Sequence, residues 1–243
     1  EARESLPEGY QRQLPKLAGG ELAGHPRVYG LAWEYVAHTD SRFDPDGLEG
    51  FLEAYQEVSS LTMGEVWAVP SSLRLVLVEN LRRLAERIVG SREARAEADR
   101  VAEAVREAVR GDADPVAPLR SLERGPARMN RAYVVELVQR LREEEPRAMP
   151  ALRWLEARAE RADTSLEELV REEHGSQLAA QATVANIVTS MRKISAFGWA
   201  DFFEDVSRVE RILREDPSGV YPRTDFPTRD EYRHAVEELA RGS

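Results

Sequence analysis

Residues 62–89 read TMGEVWAVPSSLRLVLVENLRRLAERIV, and the fold turns on how this stretch is taken. Thr62, followed three residues on by Glu65, has the spacing of a capping box, in which hydroxyl and carboxylate each satisfy an orphan backbone N–H at a helix start. From there apolar residues recur at spacings of three and four as far as Val89, the period of an α-helix rather than the alternation of a strand. Pro70 removes a backbone donor and is expected to bend or split that helix. Leu73 to Val78 is apolar on nearly every side, and a helix of that kind belongs in the middle of a bundle. Residues 62–89 are therefore expected to form the central helix.

Working outward, the same period continues in both directions, and start signals divide the chain into about nine helices. Upstream, a Pro- and Gly-containing lead-in at Leu14 to Gly24 precedes Pro26, which suits a first helical turn, and a helix to about His38 carries Val28, Leu31, Ala32 and Tyr35 on one face. Asp44-Pro45 pairs a cap with a proline start for a helix bearing Leu48, Phe51, Leu52 and Tyr55. Downstream, Glu93 to Arg110 has a narrow stripe of Ala98, Val101, Ala102, Val105 and Val109. Met129 to Leu141, Pro150 to Ala162, Ser165 to Phe197, Trp199 to Leu213 and Arg229 to Ala240 complete the set. Thr164/Glu167, Ser165/Glu168 and Thr228/Glu231 repeat the capping-box spacing. The expected fold is all-α, a multi-helix bundle with two packed helical lobes at 1–111 and 129–243, joined by a linker-like segment at 112–128.

Composition narrows the function. The 243 residues are 42% hydrophobic, enough for a real core, while 32% are charged and no apolar run approaches the roughly 20 residues that cross a bilayer. No cysteine is present, which removes disulfides, thiolate nucleophiles and cysteine metal sites and suits a reducing compartment. A net charge of -10 repels a phosphate backbone and argues against nucleic acid. Only two of the 34 basic residues, Lys16 and Lys193, are lysine, a bias expected of a GC-rich genome. The chain opens at Glu1 rather than Met and has no secretory leader pattern, so it reads as an excised piece or a processed product.

Candidate chemistry is sparse. His38-Thr39-Asp40-Ser41-Arg42-Phe43-Asp44 gathers polar groups between two helices, where a binding site could form, although Thr, Asp and Ser are also what helix ends recruit as caps. Glu172-Glu173-His174 lacks a second ligand three or four positions away, so no metal site is expected. The strings G-x-S-x-G, Walker A and G-x-G-x-x-G are absent. Arg74, Glu79 and Asn80 on the central helix are expected to hydrogen-bond between helices, and Trp33, Trp67, Trp154 and Trp199 to pack mostly in the core.

Several strings read together resemble one family. They are Leu14-Pro-Lys-Leu, Pro26-Arg-Val-Tyr-Gly-Leu-Ala-Trp, Ala37-His-Thr-Asp-Ser-Arg-Phe-Asp, Val78-Glu-Asn-Leu-Arg-Arg-Leu, Val170-Arg-Glu-Glu-His, Asn186-Ile-Val-Thr-Ser-Met-Arg, Trp199-Ala-Asp-Phe-Phe-Glu and Asp225-Phe-Pro-Thr-Arg-Asp-Glu-Tyr-Arg-His. In order and over nearly the whole chain they are similar to the N-terminal region of bacterial cyclic β-1,2-glucan synthases. The resemblance implies a large inner-membrane parent that uses UDP-glucose, with its glycosyltransferase beyond this region. The D-x-D and Q-x-x-R-W signatures of such a transferase are read as missing here, as is the substantial sheet that would hold a nucleotide sugar, so no catalytic residue is expected to carry over.

The resemblance thus implies a non-catalytic accessory or scaffold segment, cytoplasmic at the inner-membrane face, without a cofactor of its own. Its implied partners are the adjacent glycosyltransferase domain and the nascent β-1,2-glucan. His38, Asp40, Asp225 and Arg229 are the candidate interaction residues. A second reading makes the segment the acceptor of a protein-linked glucan, with Tyr221 as the residue, because Asp216-Pro-Ser-Gly-Val-Tyr-Pro reads as an exposed loop. A third is a free-standing helical interaction protein.

Overall fold

The structure, a computed structural model, describes residues 14–123, 130–143 and 146–241. The expected helix start at Met129 and the last part of the expected linker lie outside the described residues. Nine α-helices occur among those described: α1 Arg27–His38, α2 Pro45–Val58, α3 Met63–Arg110, α4 Arg131–Arg142, α5 Met149–Glu160, α6 Leu166–Ala196, α7 Trp199–Val206, α8 Arg208–Leu213 and α9 Phe226–Arg241. Short 3-10 turns lie at Ala117–Glu123, Pro146–Ala148 and Tyr221–Arg223. The described residues are predominantly helical and form no strand, as the periodicity requires.

Helix starts follow the cap chemistry. Asp44 accepts from the Gly47 N–H at 3.3 Å, with Pro45 opening α2. At the head of α3 the Thr62 N–H donates to Glu65 Oε2 at 2.9 Å and the Glu65 N–H to Thr62 Oγ1 at 3.2 Å, the reciprocal pair read from the sequence. Ser165 caps α6 through the Glu168 N–H at 3.1 Å.

Three helix bounds differ from the expectation. The central helix does not stop at Val89 but runs unbroken to Arg110, because Gly90 stands among good helix formers and its helical backbone costs only about 1 kcal/mol. Pro70 is carried inside α3 without splitting it. Trp199 to Leu213 is two helices, because extended Ser207 (ψ 119) closes α7 and, accepting from the Glu210 N–H at 3.1 Å, caps α8. The last helix begins at Phe226, and its cap is Asp225, accepting from the Thr228 N–H at 3.0 Å, rather than Thr228.

The described residues fall into two compact units: those within 1–81 and 183–243, and those within 82–182. This division runs through α3 and α6, and the boundary expected at 112–128 falls within the second unit. In the first unit, Val28, Leu48, Leu52, Val66, Leu73, Leu77, Ile187, Ile194 and Val206 are almost fully buried. Leu75 and Val78 are not: they are 44% and 52% exposed, so α3 keeps one apolar flank open rather than being buried all round. In the second unit the core joins Ala98, Val101 and Val105 of α3 to Tyr133, Leu137 and Leu141 of α4, Leu155 of α5 and Leu166 of α6.

Glu65 is fully buried and also accepts from Arg27, at 2.8 Å from Nε and 2.6 Å from Nη2. Removing it strips the cap and leaves a largely buried guanidinium without its carboxylate. Glu65→Ala is expected to lower unfolding free energy by about 3 kcal/mol, and Thr62→Ala by about 1 kcal/mol, in chemical denaturation. Equal losses would mean that the ion pair contributes nothing beyond the cap.

Candidate functional site

Two of the proposed interaction residues, His38 and Asp40, sit at the turn after α1. Asp40 and Ser41 both take left-handed backbone, φ 49 and 62, which costs a non-glycine residue roughly 1–2 kcal/mol. The strain is held by contacts to α6. Asp40 accepts from Thr183 Oγ1 at 2.8 Å and from Asn186 Nδ2 at 3.2 Å, and the Asp40 carbonyl from Asn186 Nδ2 at 3.0 Å. Ser190 Oγ donates to the Ser41 carbonyl at 2.7 Å and accepts from the Phe43 N–H at 2.8 Å, while Asn80 donates to Ser41 Oγ at 2.8 Å. Thr39 Oγ1 donates to the Tyr35 carbonyl at 2.8 Å at the end of α1 and Asp44 caps α2, so the segment's ends serve as caps, while Asp40 and Ser41 between them lock two distant parts of one unit together. His38 stands apart: it is exposed, with Nδ1 2.8 Å from the Glu34 carbonyl oxygen.

The other candidates converge on a charged cluster in the same unit. Glu210 of α8 is fully buried. Its Oε2 accepts from Tyr221 Oη at 2.5 Å and from Arg233 Nη1 at 2.7 Å, and its Oε1 from Arg214 Nε at 2.8 Å. Glu204 of α7 accepts from Arg229 Nε at 2.8 Å and from Arg214 Nη2 at 2.7 Å. Arg233, only 1% exposed, also reaches Asp230 at 3.3 Å and lies over the Phe226 ring at 4.8 Å. Three carboxylates and three guanidiniums thus neutralise one another, as buried charges must. Burial pushes the Glu210 carboxyl up, but the bonds from Tyr221, Arg233 and Arg214 outweigh it and hold it below the usual range.

Tyr221 is therefore not the exposed loop residue its Pro- and Gly-rich neighbourhood suggests. It is 6% exposed, with its hydroxyl turned onto Glu210. Asp216 organises the loop: its carboxylate accepts from the backbone N–H groups of Ser218, Val220 and Tyr221 at 2.9–3.0 Å and from the Ser218 hydroxyl, which lowers its pKa to about 2. Burial, then the Glu210 carboxylate, raise the Tyr221 phenol. Both effects oppose use of that oxygen as a nucleophile. Asp225 is the α9 cap, and Thr228 holds its carboxyl below the usual range. Arg229 belongs to the cluster.

Other polar residues are engaged structurally. Glu173 pairs with Arg95 at 2.9 Å inside the second unit, while neighbouring His174 is exposed. The expectation that D-x-D is missing is corrected, since the string occurs twice: Asp44-Pro45-Asp46 at the start of α2 and Asp112-Ala113-Asp114 in a turn, where Asp114 accepts from the Val116 N–H at 2.9 Å. No group of three or more His, Asp or Glu side chains is placed to hold a metal ion among the described residues. No helix among them is long and apolar enough to cross a membrane.

A concave site not anticipated from the sequence, although Glu79 of its lining was singled out, lies in the first unit. His25, Tyr29, Ser71, Ser72, Leu75 and Glu79 are among those lining a pocket of about 370 Å³ between the start of α1 and the open flank of α3. The available signal was the spacing of His25, Tyr29 and Trp33, one every four residues along one helical face.

No protein-family model matches the sequence. Over 244 aligned residues, all of this chain, it is 36% identical to the cyclic beta-(1,2)-glucan synthase NdvB of Rhizobium meliloti (strain 1021). The match covers 8% of that protein. The chain is thus homologous to a segment of a cyclic β-1,2-glucan synthase, which upholds the resemblance carried by its sequence strings at that level.

Because the folded-state pKa of Glu210 lies below its ordinary value of 4.5, the stability it contributes is complete above that value and is lost as pH falls through the folded one. Glu210→Gln is expected to reduce unfolding free energy at neutral pH by about 2–3 kcal/mol and to flatten the acid limb of the stability–pH curve. Chemical denaturation across the acid range measures both. An acid limb as steep as the parent's would show that Glu210 is not the group titrating.

Proposed function

We propose that this chain is a non-catalytic helical segment of a cyclic β-1,2-glucan synthase, acting beside the part that transfers glucose from UDP-glucose. The observation that carries this reading is 36% identity maintained over the full 243-residue length to a portion of such a synthase. The site geometry agrees with it. Glu65, Glu204, Glu210 and Arg233, the most deeply buried charges of the first unit, are each paired with an opposite charge on another element, Glu65 with Arg27 of α1 and Glu204 and Glu210 with arginines of α9. Groups used in this way fix a scaffold and are poor candidates for general acid–base work, which needs a carboxyl within reach of substrate.

In this reading the segment lies at the cytoplasmic face of the inner membrane, as part of the parent enzyme, and its working contact is with the adjacent glycosyltransferase. Tyr221 is unsuited to the acceptor role, because an initiating hydroxyl must reach another domain's active site and this one is sequestered on Glu210.

Two measurements test the proposal together. The purified chain, incubated with UDP-glucose and divalent cation, is expected to release no UDP and to form no glucan. Expressed separately, it is expected to co-purify with a synthase lacking the homologous segment. Turnover that follows the chain through repurification would overturn the non-catalytic reading. Failure to associate would overturn the accessory one.

A further inference from the structure

Two helices of the second unit run uncovered for two turns or more. From 85 to 97 no residue of α3 is buried, and from 174 to 182 none of α6 is. A helix packed on a core buries a residue every three or four positions, as α3 itself does from Val66 to Leu77. In the uncovered spans even the large apolar side chains stand out, Ile88 44%, Val89 54% and Leu178 67% exposed. The spans are neighbours. Arg95 meets Glu173 at 2.9 Å, while Val101 and Val105 share a core with Leu166, so α3 and α6 run in opposite directions and both spans lead away from that core.

Each span holds one glycine, and each glycine is followed by serine: Gly90-Ser91 in α3 and Gly175-Ser176 in α6. Neither glycine is there for want of room. A methyl group in place of the hydrogen would meet no atom within 4 Å, and neither backbone is left-handed. In a helix interior such a glycine gives up stability that alanine would supply, because its backbone loses more freedom on ordering. Gly50 of α2 is equally open but stands between buried Leu48 and Leu52, where the core holds its helix. Gly90 lies five residues before Arg95 and Gly175 two after Glu173, so at 1.5 Å per residue they stand within about 5 Å of one level along the helix pair.

Weak propensity and absent burial thus coincide, at one level, in both helices. Stretches of that kind open first, and a glycine-serine pair is among the few features at which helices bend sharply. We infer that α3 and α6 share a hinge, with Gly90 and Gly175 as its bending points and the Arg95–Glu173 pair as its edge. Glu173, 7% exposed, also accepts from Gln177 Nε2 at 2.9 Å, which ties the helices together where the covered core ends. Bending beyond that tie breaks no core contact, and a few residues absorb the whole change in backbone angle. Such a hinge goes beyond the accessory role proposed above and does not depend on it.

The test uses the 243-residue chain, whose lack of cysteine lets spin labels be placed at Leu75→Cys and Arg100→Cys, two exposed positions on α3. A straight helix separates them by about 38 Å. Pulsed electron resonance is expected to give a broad distribution reaching well below that separation, and a single narrow peak once Gly90→Ala and Gly175→Ala are added. Amide exchange across residues 85–97 is expected to slow about two- to fivefold in Gly90→Ala, and to be unchanged in Gly50→Ala. Alanine fits both hinge positions without contact and favours the helix, so the variants keep their fold, which circular dichroism checks. A narrow peak at the straight-helix separation in the chain with its glycines, a distribution that the two alanines leave unchanged, or equal slowing in Gly50→Ala would overturn the hinge.

Discussion

A carboxylate with no solvent contact must be matched by donors, and Glu210 imposes that requirement on the last third of the first unit. Three elements answer it: the 3-10 turn at Tyr221–Arg223 through the phenol, α9 through Arg233, and the end of α8 through Arg214. Arg233, equally buried, then needs its own surroundings, which Glu204, Asp230 and the Phe226 ring provide. Replacing such a cluster wholesale with apolar side chains can be neutral for stability, whereas breaking one member leaves an uncompensated charge. The arrangement therefore acts less as a source of stability than as a constraint on how these elements dock. Glu65 and Arg27 repeat the principle at the head of α3.

The same constraint explains what could and could not be read from the sequence. Cap chemistry is local, so Asp44-Pro45 and the Thr62/Glu65 pair were legible as helix starts, and the all-α class followed from the period of the apolar residues. Decisions made by distant partners were not legible. The division at Ser207 is a different case: Ser207 and Glu210 have the capping-box spacing, a local signal that the reading of Trp199 to Leu213 as one helix passed over. The loop at Asp216 has the composition of an exposed turn, yet one carboxylate gathers three backbone N–H groups and turns Tyr221 inward. Apolar Leu75 and Val78 were expected to be buried, because the sequence cannot say which flank of α3 another helix covers.

The corner at Asp40 and Ser41 belongs to the same class of fact. Two family-like strings lie 140 or more residues apart, one around Asp40 and one around Asn186, and the structure joins them by the hydrogen bonds of Thr183, Asn186 and Ser190. Candidate residues chosen for polarity thus make hydrogen bonds within the fold, with Arg229 and Asp225 as further cases. The surface that remains concave and chemically mixed, between the start of α1 and α3, was marked only by the four-residue recurrence of His25, Tyr29 and Trp33.

The central claim is that this helical segment works as an exchangeable part of a glucan synthase. It is tested most directly by replacing the homologous segment of the 36%-identical synthase with this chain and measuring cyclic β-1,2-glucan produced by the chimera. The account predicts output near that of the parent enzyme, with little or none when an unrelated helical domain of similar length is inserted instead. Equal output from both replacements would contradict it, since the segment would then contribute nothing specific to the synthase.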